Sequence, residues 1–254
     1  MLISVNAVVI CEKKINDYDR VLTLLTENKG IIHAYAKGAS KIKSGMMAST
    51  EMFCYSSFQI FTRGDKSFID KAEVINIFFG LRKDLLKISL ATYFCQLMSE
   101  LVPPFECQDA YIRLLLNSLH YLEKDKLERD LLKPLFELRI LTLSGYMPDL
   151  VVCEACGTLE TERVFFSPTM GNIFCENCYP KNDSSLIEVT GGAFAAMRHI
   201  VYSDISKLFK FGLGEESKRI LNRVSRAYLL CQVEKMLPAL RYYEQITGGV
   251  PPQP

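Results

Sequence analysis

The feature that most constrains this chain is a pair of cysteine pairs. Cys153-x2-Cys156, a run of 18 residues and Cys175-x2-Cys178 lie within VVCEACGTLETERVFFSPTMGNIFCENCYP. Two thiolate pairs, each on a tight turn, match the spacing of tetrahedral zinc sites, so the segment between them must fold back until four sulfurs meet. Gly157 lets the first turn close. Val164-Phe165-Phe166, then Gly171 and Ile173-Phe174, read as a short hairpin carrying the second pair to the first. Three roles are open to such a site: a catalytic metal, a DNA-reading finger or a staple. A catalytic zinc keeps one position open, whereas four cysteines close the tetrahedron and leave Glu154 and Glu176 no activated water to serve. A finger needs positive charge to hold phosphates, and residues 150–197 carry 2 basic against 6 acidic residues. The expected role is structural: one Zn2+ per chain, tying the flanking helices together around a segment with few apolar residues.

The other cysteines, Cys11, Cys54, Cys95, Cys107 and Cys231, stand singly, and a total of 9 is odd. They read as reduced, mostly buried thiols rather than a disulfide scaffold. No apolar run approaches the roughly 20 residues of a membrane helix, and MLISVNAVVICEKK lacks the basic start and cleavage site of a signal peptide. The expected compartment is the cytoplasm, with no membrane partner. With 49% apolar residues among 254, two or three small domains can each bury a core.

Residues 1–80 alternate and are rich in β-branched and aromatic side chains. Leu2–Cys11, Arg20–Glu27, Ile31–Lys37, Thr50–Thr62 and Ser67–Ile77 read as five strands, with turn chemistry at Asn28-Lys29-Gly30 and Arg63-Gly64-Asp65-Lys66. Five short strands suit a small closed barrel of the OB type. After Gly80 the period becomes helical. Helices are expected over Leu81–Val102, stopped by Pro103-Pro104, over Tyr111–Leu122, and from about Leu127 to Leu143, where Pro134 marks a kink or the first turn. A Gly191-Gly192 break, a short helix over Phe194–Tyr202 and a long one over Glu215–Leu237 follow. The expected class is α+β: a barrel domain at 1–80, a helical domain at 81–149 and 183–246, a four-cysteine zinc insert at 150–182 and a disordered tail at 247–254.

The net charge of +1 averages unlike regions, for the ends are basic and the cysteine segment acidic. Between Glu27 and Glu51 no acid occurs, while Lys29, Lys37, Lys41 and Lys43 do. AYAKGASKIKSG, residues 34–45, puts three of these lysines on a Gly- and Ser-containing loop that can wrap a phosphate backbone. Tyr35, with Tyr55 or Phe61 if they face outward, can offer stacking surfaces to unpaired bases. About half of such aromatics must instead fill the barrel. On the last helix Arg219, Arg223 and Arg226 form a second basic flank beside an apolar stripe of Ile220, Val224, Ala227, Tyr228 and Cys231, with Glu215 and Arg219 spaced to pair.

The order of parts, a basic barrel with YAKGASKIKSG, helices, GYMPDLVVCEACG, FSPTMGNIFCENC and further helix, resembles the RecO family of bacterial recombination mediators over residues 1–245. The AKGA loop at Ala36–Ala39 and Gly145-Tyr146-Met147-Pro148 before the first knuckle carry the likeness. Ser40 and Gly45 stand where the family often has arginine, and Asn172 where a second glycine is common. The resemblance implies binding of single- and double-stranded DNA, strand annealing, and work with a RecR ring that docks on the barrel. It further implies loading of RecA onto strands coated by single-strand-binding protein, at the nucleoid and without a catalytic centre. Contact with the coating protein calls for an apolar groove, sought near Leu81–Val102. A zinc-dependent nucleic-acid enzyme would need a constellation that His33, His120 and His199, each alone, do not form. A zinc-ribbon transcription regulator would need basic knuckles.

Overall fold

Period-two alternation closes the first part of the chain into a barrel. In a computed structural model, which describes residues 2–41, 44–103, 109–159 and 163–248, five strands form it: β1 (Leu2–Lys14), β2 (Arg20–Thr26), β3 (Ile31–Ala36), β4 (Cys54–Arg63) and β5 (Lys66–Ile77). Their order is β1-β2-β3-β5-β4. All pairs are antiparallel except the closing seam, where β3 meets β5 in parallel through Ala34↔Ser67 and Tyr35↔Phe68. This is the expected OB-fold. Val9, Leu22, Leu24, Ala36, Phe58 and Ile60 point inward and fill it. The two-residue turn between paired Arg63 and Lys66 needs Gly64 at φ +60°.

The fourth strand starts later than Thr50. Residues 47–50 form turns instead: the Thr50 hydroxyl bonds back to the Met46 carbonyl at 2.8 Å, and Phe53 takes φ +65° before the strand starts. Such local hydroxyl bonds compete with a strand ladder.

Past the barrel come a 3-10 turn (Phe79–Lys83) and six α-helices among the described residues: α1 (Leu85–Leu101), α2 (Asp109–Glu123), α3 (Arg129–Leu143), α4 (Gly191–Tyr202), α5 (Glu215–Val233) and α6 (Pro238–Ile246). Three short strands, β6 (Val164–Ser167), β7 (Asn172–Cys175) and β8 (Ile187–Val189), form a sheet in the order β7-β6-β8. Two compact units result: Met1–Lys126 with Leu237–Pro254, and Leu127–Met236. No helix of the described residues is long and apolar enough to cross a membrane.

In the first unit Asp84 caps α1 by accepting from the Leu86 and Lys87 amides at 2.7 and 3.1 Å. The helix is buried nearly all round, through Leu90, Tyr93, Phe94, Leu97 and Met98. It packs on β1 and on α6, which the helical period does not reveal. The expected helix to Leu237 ends at Val233: Glu234 turns left-handed at φ +56°, Leu237 is extended, and Pro238 opens α6 at its first turn.

In the second unit Pro134 lies inside α3, neither in its first turn nor at its end. A proline there lacks the N–H that would reach the Asp130 carbonyl, and the Asn222 side-chain amide of α5 supplies the donor. Gly191-Gly192 does not break the chain but opens α4, whose N-cap Thr190 accepts from the Ala193 amide at 3.4 Å. Lys43, Cys107, Pro104 and the tail from residue 249 lie outside the described residues.

Candidate metal centre and nucleic-acid interface

The four cysteines meet as their spacing requires. Each pair closes on a backbone turn, with the Gly157 amide on the Cys153 carbonyl at 2.8 Å and the Cys178 amide on the Cys175 carbonyl at 3.1 Å. The β6–β7 hairpin pairs Val164 with Cys175, and the Glu154 amide reaches the Ile173 carbonyl at 2.9 Å, joining the knuckles. All four sulfurs lie within 4.8 Å of one another. Those of Cys156 and Cys175 are 3.8 Å apart, which is about the edge of a tetrahedron with metal–sulfur bonds of ~2.3 Å. The donor set therefore fits a thiophilic, four-coordinate metal ion.

Electrostatics point the same way. At Cys153 burial disfavours the thiolate, but amides of Cys175, Cys156 and Ala155 outweigh it and bring the thiol down to about 6. Cys178, hydrogen-bonded by Cys156 and Cys175, is pushed up to about 12. Four thiolates this close repel one another, and a cation at their centre is what lets all four ionise.

The segment is richer in packing than its sequence suggests. Val164, Phe165, Phe166 and Ser167 are all buried. Phe166 meets Tyr228 of α5 edge-on at 5.5 Å, and Phe165 stacks on Tyr179 at 3.9 Å. Gly171, at φ +71°, leaves room for Tyr228, whose hydroxyl would lie 2.8 Å from a Cβ there. That hydroxyl donates to the Tyr146 carbonyl at 3.1 Å, which anchors the Gly-Tyr-Met-Pro lead. Asn172 begins β7 as a buried residue, its side-chain oxygen without a hydrogen-bond partner.

The second candidate site lies on the barrel. The basic loop is pinned to the β1–β2 turn: the Gly38 amide donates to the Asp19 carboxylate at 2.7 Å, the Ser40 amide to the Tyr18 carbonyl at 3.0 Å, and Arg20 Nε to the Ser40 hydroxyl at 2.9 Å. The Gly38 amide, then Asn16, hold the Asp19 carboxyl below its usual range. Lys37 and Lys41 are left exposed, with the Lys37 ammonium 5.1 Å from the Phe68 ring centre and the Lys41 ammonium 5.4 Å from that of Tyr18.

Tyr35 lies between buried Ala34 and Ala36, so it faces out of the barrel. Phe61 also faces out, 37% exposed. Tyr55 is engaged elsewhere: its hydroxyl donates to Glu27, and burial first, then that carboxylate, push it up to about 12. The fold adds two residues that sequence reasoning missed. Phe68 sits 5.4 Å from Tyr35 and 5.3 Å from Phe61, ring centre to ring centre, and the Lys66 ammonium lies 5.6 Å from the centre of Tyr35. Phe68 precedes inward Ile69, and that alternation was the signal that could have found it.

Not all the basic candidates converge. Lys29 is exposed on the β2–β3 turn, at the far end of β3 from Lys37. Arg219 and Arg223 are exposed on α5 and Arg226 is half-buried, all in the second unit. The buried stripe of α5 runs through Leu221, Val224 and Tyr228, with Cys231 exposed, and Glu215 pairs with Lys218 at 2.9 Å rather than with Arg219. Cys11 is exposed too, while Cys54 and Cys95 are buried. Beside α1, a cleft of about 600 Å3 is lined by Ile10, Met52, Thr92, Gln96, Pro238 and Tyr242.

Two family models cover nearly the whole chain: Recombination protein O N terminal matches residues 1–78, and Recombination protein O C terminal matches residues 82–241. Among similar proteins, DNA repair protein RecO of Acetivibrio thermocellus is 30% identical over 241 residues, spanning 95% of this chain and 96% of the relative. The protein of the same name from Symbiobacterium thermophilum is 29% identical over 252 residues, spanning 98% and 99%.

Proposed function

The chain belongs to the RecO family, and from that premise we propose that it is a non-enzymatic DNA repair protein that anneals complementary strands. It works with RecR to load RecA onto DNA coated by single-strand-binding protein, in the cytoplasm at the nucleoid. The observation that carries this reading is the pinned basic loop on the barrel. Lys37 and Lys41 hold phosphates of single- or double-stranded DNA without reading sequence, with Lys43 of the same loop as a third contact. A surface that grips the backbone leaves base edges free to pair, so annealing needs no nucleotide hydrolysis. RecR docks on the same barrel, and the cleft beside α1 receives a peptide end of the coating protein. Arg219, Arg223 and Arg226 are a second contact flank, and Lys29 a peripheral one.

The four cysteines hold structural Zn2+, one per chain. Bound there, the ion would offset the charge of the crowded thiolates and hold the two knuckles together, a structural role with no part in annealing. Cys153 and Cys156 hold it from one turn, Cys175 and Cys178 from the other.

The test is annealing of complementary oligonucleotides by purified protein in nucleotide-free buffer. Acceleration over the spontaneous rate supports the reading. Strand cleavage or other turnover of the DNA contradicts it.

A further inference from the structure

We propose that Tyr35, Phe68 and Phe61 form a ridge on which unpaired bases stack, flanked by Lys37 and Lys66, and that this ridge gives the barrel a preference for single strands over duplex. The inference rests on reading the barrel as the DNA interface. Strand register sets the three rings in one row, since Tyr35 pairs with Phe68 across β3 and β5, and Phe68 with Phe61 across β5 and β4. Their sequence neighbours Ala34, Ala36, Ile60 and Ile69 line the barrel interior, so the rings face outward. Leu2, opposite Phe61 on β1 and 63% exposed, extends the row.

A cross-strand aromatic ladder that merely reinforces the fold is the alternative, and it accounts for part of the row. The β3–β5 seam has only two residue pairs, so a Tyr35–Phe68 contact there is useful for closure. The same reason does not extend to Phe61, because β4 and β5 are already joined along ten residue pairs. Nor does it explain lysine ammoniums 5.1 and 5.6 Å from the ring centres of Phe68 and Tyr35. With Arg63 and Lys71, also exposed, these lysines make four bases against three exposed acids, Asp65 in the β4–β5 turn and Asp70 and Glu73 on β5.

An ammonium resting on an aromatic face is weakly held compared with one on a phosphate. An arriving strand can draw Lys37 and Lys66 to its backbone while its bases take the ring surfaces. Duplex offers phosphates but keeps its base faces stacked on each other, so the ridge adds nothing to its binding. A base stacked by its face keeps its pairing edge free, which is compatible with annealing.

The experiment compares three probes of equal length on the full chain by fluorescence anisotropy: oligothymidylate, a strand of abasic sugar-phosphates, and a duplex. Wild type is expected to bind oligothymidylate about tenfold tighter than the abasic strand. The variant Phe61→Leu/Phe68→Leu keeps apolar contact at the seam, and it should erase that difference while leaving duplex affinity unchanged. Phe61→Leu alone, away from the seam, should halve the logarithm of the difference even if the double variant folds poorly. Equal binding of thymidylate and abasic strand by wild type overturns the proposal, as does a folded variant that keeps the preference. A variant that keeps the preference but loses a protein partner would overturn it too, making the ridge a protein-docking face. Failure of wild type on all three probes would instead remove the underlying reading of the barrel.

Discussion

Lys133 and Glu137 are spaced four apart, the pattern of a solvated helix pair, yet both are buried between α3 and α5. Their charges meet at 2.8 Å, and the Ser225 hydroxyl donates to the same carboxylate at 2.7 Å. Removing one partner strands the other charge away from water, so Glu137→Ala should destabilise the fold by about 3–5 kcal/mol. Lys133→Met with Glu137→Leu should cost far less, and chemical denaturation of the single and double variants checks both. Gly171 makes a second case. An alanine there meets the Tyr228 hydroxyl and must hold a left-handed backbone, so Gly171→Ala should cost about 1–3 kcal/mol by the same measurement. The sequence marks Gly171 as a turn but says nothing of Tyr228, because that contact joins residues far apart in the chain. Tyr35 was legible as a candidate through its basic surroundings. Alternation with Ile69 could have put Phe68 on the outer face, but its place beside Tyr35 was not legible, since only the parallel register of the barrel seam brings the two together.

At the scale of elements, strands and helices with several turns of regular pattern were legible, and short or interrupted ones were not. The five barrel strands and the cysteine hairpin follow from alternation and from the local geometry of paired thiols. Strand β8 is three residues long, too short for alternation to register. Helix α6 begins at Pro238, which the expected helix to Leu237 treated as a stop although a proline also suits a first turn. The knuckle makes a testable unit. Cys175→Ser, or treatment with a strong chelator, should remove the metal and lower the melting temperature, by about 2–4 °C for each kcal/mol lost in a chain of this size. Oligonucleotide affinity below that temperature should be preserved. Metal analysis should return about one zinc per chain; a stable, metal-free wild type would contradict the assignment. Acid should release the ion as well, since the ligands bind it as thiolates.

For the whole molecule, charge separates the roles: the barrel carries the acid-free window from Asn28 to Thr50, while the cysteine segment is net acidic. Phosphate is drawn to the first and opposed by the second. Composition made that division legible, although the net charge of +1 conceals it. How the helices group was not legible, because α6 joins the unit of the barrel from the other end of the chain. The most direct measurement is oligonucleotide affinity across a salt series for wild type and Lys37→Ala/Lys41→Ala/Lys43→Ala. If the loop holds phosphates, the triple variant should bind many sequences more weakly, and the slope of log affinity against log salt should shrink by about one for each phosphate no longer held. A folded triple variant with the affinity and slope of wild type would show that the barrel loop does not hold DNA.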